Sequence, residues 1–296
     1  MTISQTQPID LSRLSKKSQQ AIERLLAHKA EVVDLYVHAF RRHACANSSH
    51  RSRVPKSKRA GVLVLLYEKD GVLRVLLTTR SKTLRTHPGQ TALPGGKMDA
   101  TDRDIVETAY REAFEEVALP LQHPSIHTLC VLRPFIAYTR LLVTPVVAFL
   151  SDHTVLDDLV PSAGEVDVIF DHPLEALLDP HLSAQENLVE IGSELWPYEE
   201  QYYNHTDSQW TWVGNSWYRM HRFRSCASAI KGLTAEILIM TAVAAYGRPP
   251  SYSRYAPGQP TTFADILRAL DSEYFTELRD AGLAEPLPGG VIVGRA

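Results

Sequence analysis

The sequence predicts an α+β fold: a mixed β-sheet with helices on both faces. Two observations carry this expectation. Residues 61–68 (GVLVLLYE) and 72–79 (VLRVLLTT) are apolar runs separated by Lys69, Asp70 and Gly71, the pattern of two strands joined by a tight turn. Residues 104–118 then place Val106, Ala109, Tyr110, Ala113 and Val117 at helical spacing, the mark of a helix with one packed side. The remaining segments interleave without a strict βαβ rhythm, which favours a mixed sheet over a purely parallel one.

Taken in order, residues 16–45 carry Ile22, Leu25, Leu26, Val32, Val33, Leu35, Tyr36 and Phe40, close to the spacing of one or two amphipathic helices that pack on the main domain. Residues 41–59 turn basic and end in RSRVPKSKR, which reads as an exposed linker. After the hairpin, strands are expected at 128–132, 141–149, 165–169, 209–213 and 217–223. Helices are expected at 104–118, 173–178, 233–246 and 262–281. These assignments divide the chain into an N-terminal helical extension with its linker (1–60), a main domain (61–246) and a C-terminal helical tail (247–296). The tail is expected to cap the domain or to support a homodimer.

Composition sets outer limits. The chain has 296 residues, 44% of them hydrophobic and 22% charged, with a formal net charge of −3. No basic excess calls for nucleic acid, so any bound anion needs a local site. Cys45, Cys130 and Cys226 are far apart in the sequence and suggest neither a disulfide framework nor a structural zinc site. The N-terminal residues lack the apolar core of a secretory signal, and no stretch approaches the roughly 18 apolar residues of a membrane span. A soluble intracellular protein is therefore expected, in the cytoplasm or a peroxisome, although Gly294-Arg295-Ala296 is not a Ser-Lys-Leu address.

The chemistry concentrates in residues 94–119, where a Gly95-Gly96 turn leads into an acid-rich helix. Thr101 or Asp102 is expected to cap that helix. At about 100° per residue, Glu112, Glu115 and Glu116 share one arc beside the apolar one. Three carboxylates this close repel one another unless a cation sits among them, and clustered hard oxygens suit Mg²⁺ or Mn²⁺. Arg111 is placed to hold a glutamate through paired hydrogen bonds, and the glycine turn can bring backbone carbonyls near the metal.

Arg111 to Glu116 (REAFEE), preceded by Gly95-Gly96, resembles the Nudix box. This resemblance implies the Nudix fold, an α/β/α sandwich, and hydrolysis of a nucleoside diphosphate linked to another moiety. It further implies Glu112 and Glu116 as principal metal ligands, Glu115 as an additional one, Gly96 as a carbonyl ligand and Arg111 as the orienting residue. The step from Gly96 to Arg111 is one position longer than in the general box, and Asp99 and Asp102 form an Asp-x-x-Asp. Both features are similar to the coenzyme A subgroup, as is LLTTRSKTLRTHPGQTALPGG over residues 76–96. Ala118 departs from the glycine usual at the end of the box and suggests a shifted helix terminus.

From this resemblance the expected products are adenosine 3′,5′-bisphosphate and 4′-phosphopantetheine or its acyl form. Arg80, Lys82, Arg85 and Lys97 are the expected phosphate contacts. The general base is open between Glu112, Glu115 and the loop residue Glu165, and His87 either assists phosphate binding or holds its loop. Two other readings stand beside this one. A nucleotide-pool pyrophosphatase would share the box, with Trp196, Trp210, Trp212 and Trp217 either stacking on a base or filling a core. A non-catalytic binding module would be expected to lack the glutamates.

Overall fold

The computed structural model describes residues 9–29, 56–139 and 141–269. Helix α1 (Lys16–Ala27) opens this region. A single 3₁₀ turn (Lys56–Lys58) leads into the hairpin of β1 (Arg59–Lys69) and β2 (Val72–Arg80). The two turn residues, Asp70 and Gly71, have φ of 53° and 77°, the left-handed pair that matches strand twist. Two short strands, β3 (Thr91–Ala92) and β4 (Gly95–Lys97), precede α2 (Ile105–Val117). Then come β5 (Ile126–Val131), β6 (Phe135–Ile136), β7 (Leu142–Leu150), the single turn α3 (Thr154–Asp157) and β8 (Val166–Pro173).

The main sheet runs β3-β2-β1-β7-β5, with β4 on β1, β6 on β7 and β8 on β2. Only the β1–β7 pairing is parallel, so the sheet is mixed, as expected from the sequence. A second, antiparallel sheet joins β9 (Tyr203–Trp210), β10 (Ser216–Phe223) and β11 (Ile230–Lys231), and β11 feeds directly into α4 (Gly232–Tyr246). The last described element is α5 (Phe263–Ala269).

The apolar run in β1 exists because both of its faces are covered. Leu63, Leu65 and Tyr67 pack with Ala109, Ala113 and Val117 of α2. Val64 and Leu66 face the opposite core, which includes Ile22 and Leu25 of α1 and Ile237 and Leu238 of α4. The sheet thus lies between helices on both faces, an α/β/α sandwich. Helix α1 is also tied by its cap: the Ser15 backbone N–H donates to Glu68 (3.0 Å) and its hydroxyl to Glu68 Oε2 (2.6 Å).

Several boundaries differ from the expectations. The cap of α2 is Asp104, whose carboxylate accepts from the N–H groups of Val106 and Glu107, because Asp102 is engaged elsewhere. Residues 174–177 form a 3₁₀ turn rather than an α-helix. Strand β9 ends at Trp210 and residues 211–213 turn as 3₁₀, since Gly214 and Asn215 at positive φ make the reversal. The expected helix over 262–281 is described only for α5, and the expected helical residues 30–45 and most of the basic linker lie outside the described residues. No helix among the described residues is long and apolar enough to cross a membrane.

Ala118 does not shift the helix end. It is the exposed C-cap of α2, at φ 58° and ψ 27°, with its N–H on the carbonyls of Ala113 and Phe114. An alanine held left-handed carries roughly 1 kcal/mol of strain that glycine avoids, partly offset by glycine's greater unfolded-state entropy. Ala118→Gly is therefore expected to stabilise the protein by about 0.5 kcal/mol, read as a higher urea midpoint. A lower midpoint would show that this cap is unstrained.

Candidate active site

Two glycines, Gly61 and Gly96, allow helix α2 to lie directly on the strands that carry the box, and a third, Gly95, lets β4 lie close on β1. A Cβ on Gly61 would meet the Ile105 carbonyl oxygen at 2.8 Å, and one on Gly95 would meet the Gly61 carbonyl oxygen at 2.5 Å. A Cβ on Gly96 would stand 2.5 Å from the Glu112 carboxylate. Gly95, at φ 157°, and Gly96 pair with Val62 and Gly61 of β1. The glycine turn thus serves as a seat for a carboxylate, which a side chain on Gly96 would displace.

Glu116 is buried, and its Oε2 accepts the Gly95 N–H at 3.1 Å. Its nearest cationic partner is Arg80, at 3.9 Å from Oε1, too long for a hydrogen bond. Burial pushes the Glu116 carboxyl up to about 7 against the pull of the Gly95 N–H and Arg80, with Glu112 and Glu165 adding repulsion. Burial also raises Glu112, and Arg111 opposes that shift.

Arg111 reaches further than holding one glutamate. Its Nε and Nη2 donate to the two oxygens of Asp102 at 2.9 and 3.0 Å, and Nη2 also donates to the Lys97 carbonyl at 3.0 Å. Its Nη2 stands 3.0 Å from Glu112, and its Nη1 donates to Glu115 at 3.0 Å. Asp102 is buried, accepts from the Asp99 N–H (2.8 Å) and the Thr108 hydroxyl (2.9 Å), and is held down to about 2 chiefly by Arg111. Asp102 therefore positions Arg111 as a planar fork.

The other sequence candidates separate. Glu165 is exposed, on the loop whose carbonyl accepts the Ser81 N–H at 2.8 Å, and its charge is felt by Glu116. Glu115 lies on the exposed side of α2. A cavity of about 1240 Å³ opens beside Gly95 and Gly96 and is lined by Arg80, His87 and Lys97. Lys82 and Arg85 are exposed and do not line it. His87 holds its turn at φ 54°, its carbonyl accepting the Gln90 N–H at 3.3 Å.

The far wall of the cavity comes from segments whose role sequence reasoning missed: Arg133, Arg222 and Lys231, Glu236 on α4, and Arg254 beyond it. Trp210 and Trp217 also line it, with Trp210 stacked on Tyr218 at 3.8 Å. Trp196 is fully buried, whereas the Trp212 side chain lies outside the described residues. The sequence reading of Trp210 and Trp217 as a stacking surface touched this wall, whereas its charged residues are scattered through apolar runs and local spacing does not collect them.

Among the described residues, no three His, Cys, Asp or Glu side chains already converge as a metal cage. The residues nonetheless fit a hard dication. Glu112 is seated over the Gly96 backbone, Glu116 is desolvated with no close cationic partner, and the two repel. Oxygen donors under that strain are what Mg²⁺ or Mn²⁺ relieves.

The same strain has a measurable cost. A carboxyl raised in the folded state loses stability as pH climbs from its unfolded value, near 4.5, through about 7. At pH 8 without divalent metal, Glu116→Gln is expected to be more stable than the parent by about 2 kcal/mol, and the gain is expected to vanish near pH 4. Equal stability of the two proteins at both pH values would contradict this burial.

A NUDIX domain model matches residues 57–191. Nudix hydrolase 15, mitochondrial, of Arabidopsis thaliana is 38% identical over 204 residues, covering 68% of this chain and 64% of that protein. Nudix hydrolase 22, chloroplastic, of the same plant is 37% identical over 204 residues, covering 68% of this chain and 60% of that protein. The mouse peroxisomal coenzyme A diphosphatase NUDT7 is 39% identical over 140 residues, covering 47% of this chain and 57% of that protein. The chain thus spans less than two thirds of each of these relatives. The match takes in strands β1 to β8, the glycine seat and the carboxylate helix, and residues 57–191 of this chain are similar to a NUDIX domain.

Proposed function

We propose that the protein is a Mg²⁺- or Mn²⁺-dependent hydrolase that splits the diphosphate bond of coenzyme A or its derivatives. The observation that carries this reading is the Asp99–Asp102–Arg111 arrangement. The extra residue of the long box is accommodated in a loop closed by the Asp99 N–H on Asp102 (2.8 Å), and Asp102 then locks the arginine that holds Glu112 and Glu115. The likeness of residues 76–96 to the coenzyme A subgroup and the partial identity to a coenzyme A diphosphatase support the same reading.

The Gly96 carbonyl, Glu112 and Glu116, with Glu115 in addition, would hold the metal. When bound, it supplies charge neutralisation for the diphosphate and a lowered pKa for its water. The protein's own groups do the rest. Arg111 keeps Glu112 and Glu115 oriented, and Arg80 and Lys97 offer cationic donors to phosphate oxygens from the wall of the cavity. One carboxylate, Glu165 from its loop or Glu112 or Glu115 from α2, accepts the proton of the attacking water. The products would be adenosine 3′,5′-bisphosphate and (acyl-)4′-phosphopantetheine.

Trp210 and Trp217 at the cavity give a specific reason to carry a second reading, a pyrophosphatase of oxidised or surplus nucleotides, because the half-buried Trp210 and the exposed Trp217 offer indole surface on which a base can stack. Incubation with Mg²⁺ or Mn²⁺ and, separately, coenzyme A, an acyl-coenzyme A and oxidised dGTP separates the two. Mass spectrometry is expected to show adenosine 3′,5′-bisphosphate from the coenzyme A substrates, reduced at least about 100-fold in Glu116→Gln. Turnover of oxidised dGTP alone would move the assignment to the nucleotide pool, and no product from any substrate would favour a binding module.

A further inference from the structure

Glu236 lies in the first part of α4 and lines the cavity, on a wall outside the matched domain. It is 9% exposed and makes no hydrogen bond among the described residues, with Oε1 fully shielded. Two neighbours stand off: His221 Nε2, on a ring that burial keeps neutral, is 3.7 Å from Oε1, and Arg254 Nη2 is 3.8 Å from Oε2, while the Arg133 charge acts from further away. His221 is held away from the carboxyl by its own hydrogen bonds. The His221 Nε2 is 2.8 Å from the Arg254 carbonyl, and its Nδ1 is 2.8 Å from the Tyr203 hydroxyl.

A buried carboxyl without a hydrogen bond is destabilising, so it calls for a partner. The surroundings restrict what that partner is. The carboxylate disfavours a phosphate, and Arg254 beside it makes a second cation redundant. Leu233, Ile237 and Phe135 line the same cavity, which suits an uncharged group with an apolar frame. The outer torsion of a glutamate is soft, so either oxygen can turn to the cavity.

We infer that Glu236 is a substrate-recognition residue that accepts a hydrogen bond from an uncharged N–H donor of the ligand, either an amide of an extended arm or the exocyclic amine of an adenine. This inference deepens the proposed coenzyme A reading and rests on it for the identity of the ligand, since coenzyme A carries both kinds of donor. Arg254 contributes the countercharge from the segment that follows α4. Substrate selection thereby draws on residues outside the metal-binding helix.

The test is calorimetric binding to the full chain in EDTA, where no divalent metal is present and no ligand is consumed. The ligands are coenzyme A, 1,N⁶-ethenocoenzyme A, in which the adenine amine is blocked, and ADP-ribose, which lacks the amide arm. Glu236→Met is expected to weaken binding about 10-fold or more, and Glu236→Gln, which keeps one acceptor oxygen, by less. If the donor is an amide, both coenzyme A ligands weaken alike and ADP-ribose does not. If it is the amine, coenzyme A and ADP-ribose weaken, and the etheno ligand starts weak and stays so.

Binding of coenzyme A within twofold of the parent in both variants would overturn the inference while leaving the coenzyme A reading intact, and would leave Glu236 with an ordered water only. Parent binding of ADP-ribose but not coenzyme A, weakened by Glu236→Met, would do the reverse. Binding of none of the three ligands by the parent would overturn the inference. The Gln variant, nearly isosteric, keeps the test decisive should the Met variant fold poorly.

Discussion

The close approach of helix α2 to the backbone at Gly61 and Gly96, with Gly95 packed against β1 beside them, is the constraint on which the rest of the site depends. Gly61, Gly95 and Gly96 lie where any side chain would strike a backbone carbonyl or a carboxylate. Their absence of Cβ lets α2 settle on β1 and β4, buries Ala109, Ala113 and Val117, and at the same stroke brings Glu112 and Glu116 to the strand. Packing and chemistry therefore use the same contact. A helix displaced by one methyl group would loosen the core and move both carboxylates off the glycine seat.

That arrangement sets stability against function. The apolar side of α2 contributes burial, whereas its acidic side holds Glu112 and Glu116 above the ordinary carboxylate range through burial. Arg111 offsets part of this, but its fork is directed mainly at Asp102, so it positions the acids without neutralising Glu116. The residual repulsion between these carboxylates is what a bound dication would relieve.

Much of this was legible in the sequence because it is local. The hairpin turn, the double-sided apolar run in β1 and the glutamate arc of α2 all follow from spacing within a few residues. What the sequence hid was non-local or polar. Asp102 looked like a helix cap, and only its distance to Arg111 in the folded loop shows its role, leaving the cap to Asp104. Strand β9, largely polar and exposed, gave no apolar alternation to read. Lys82 and Arg85 share a motif with Arg80 yet stand away from the cavity. Glu236 was invisible as a site because a single acid in an apolar helix carries no pattern until His221 and Arg254 are placed around it.

The central claim is that Gly96, Glu112 and Glu116 form one cation seat. Anomalous diffraction from crystals soaked in Mn²⁺ tests it most directly. The account predicts a manganese peak within coordination distance of the Gly96 carbonyl and of carboxylate oxygens from Glu112 and Glu116, and the peak should be lost in Glu116→Gln crystals. A manganese ion held elsewhere, or one that persists unchanged in the variant, would contradict it.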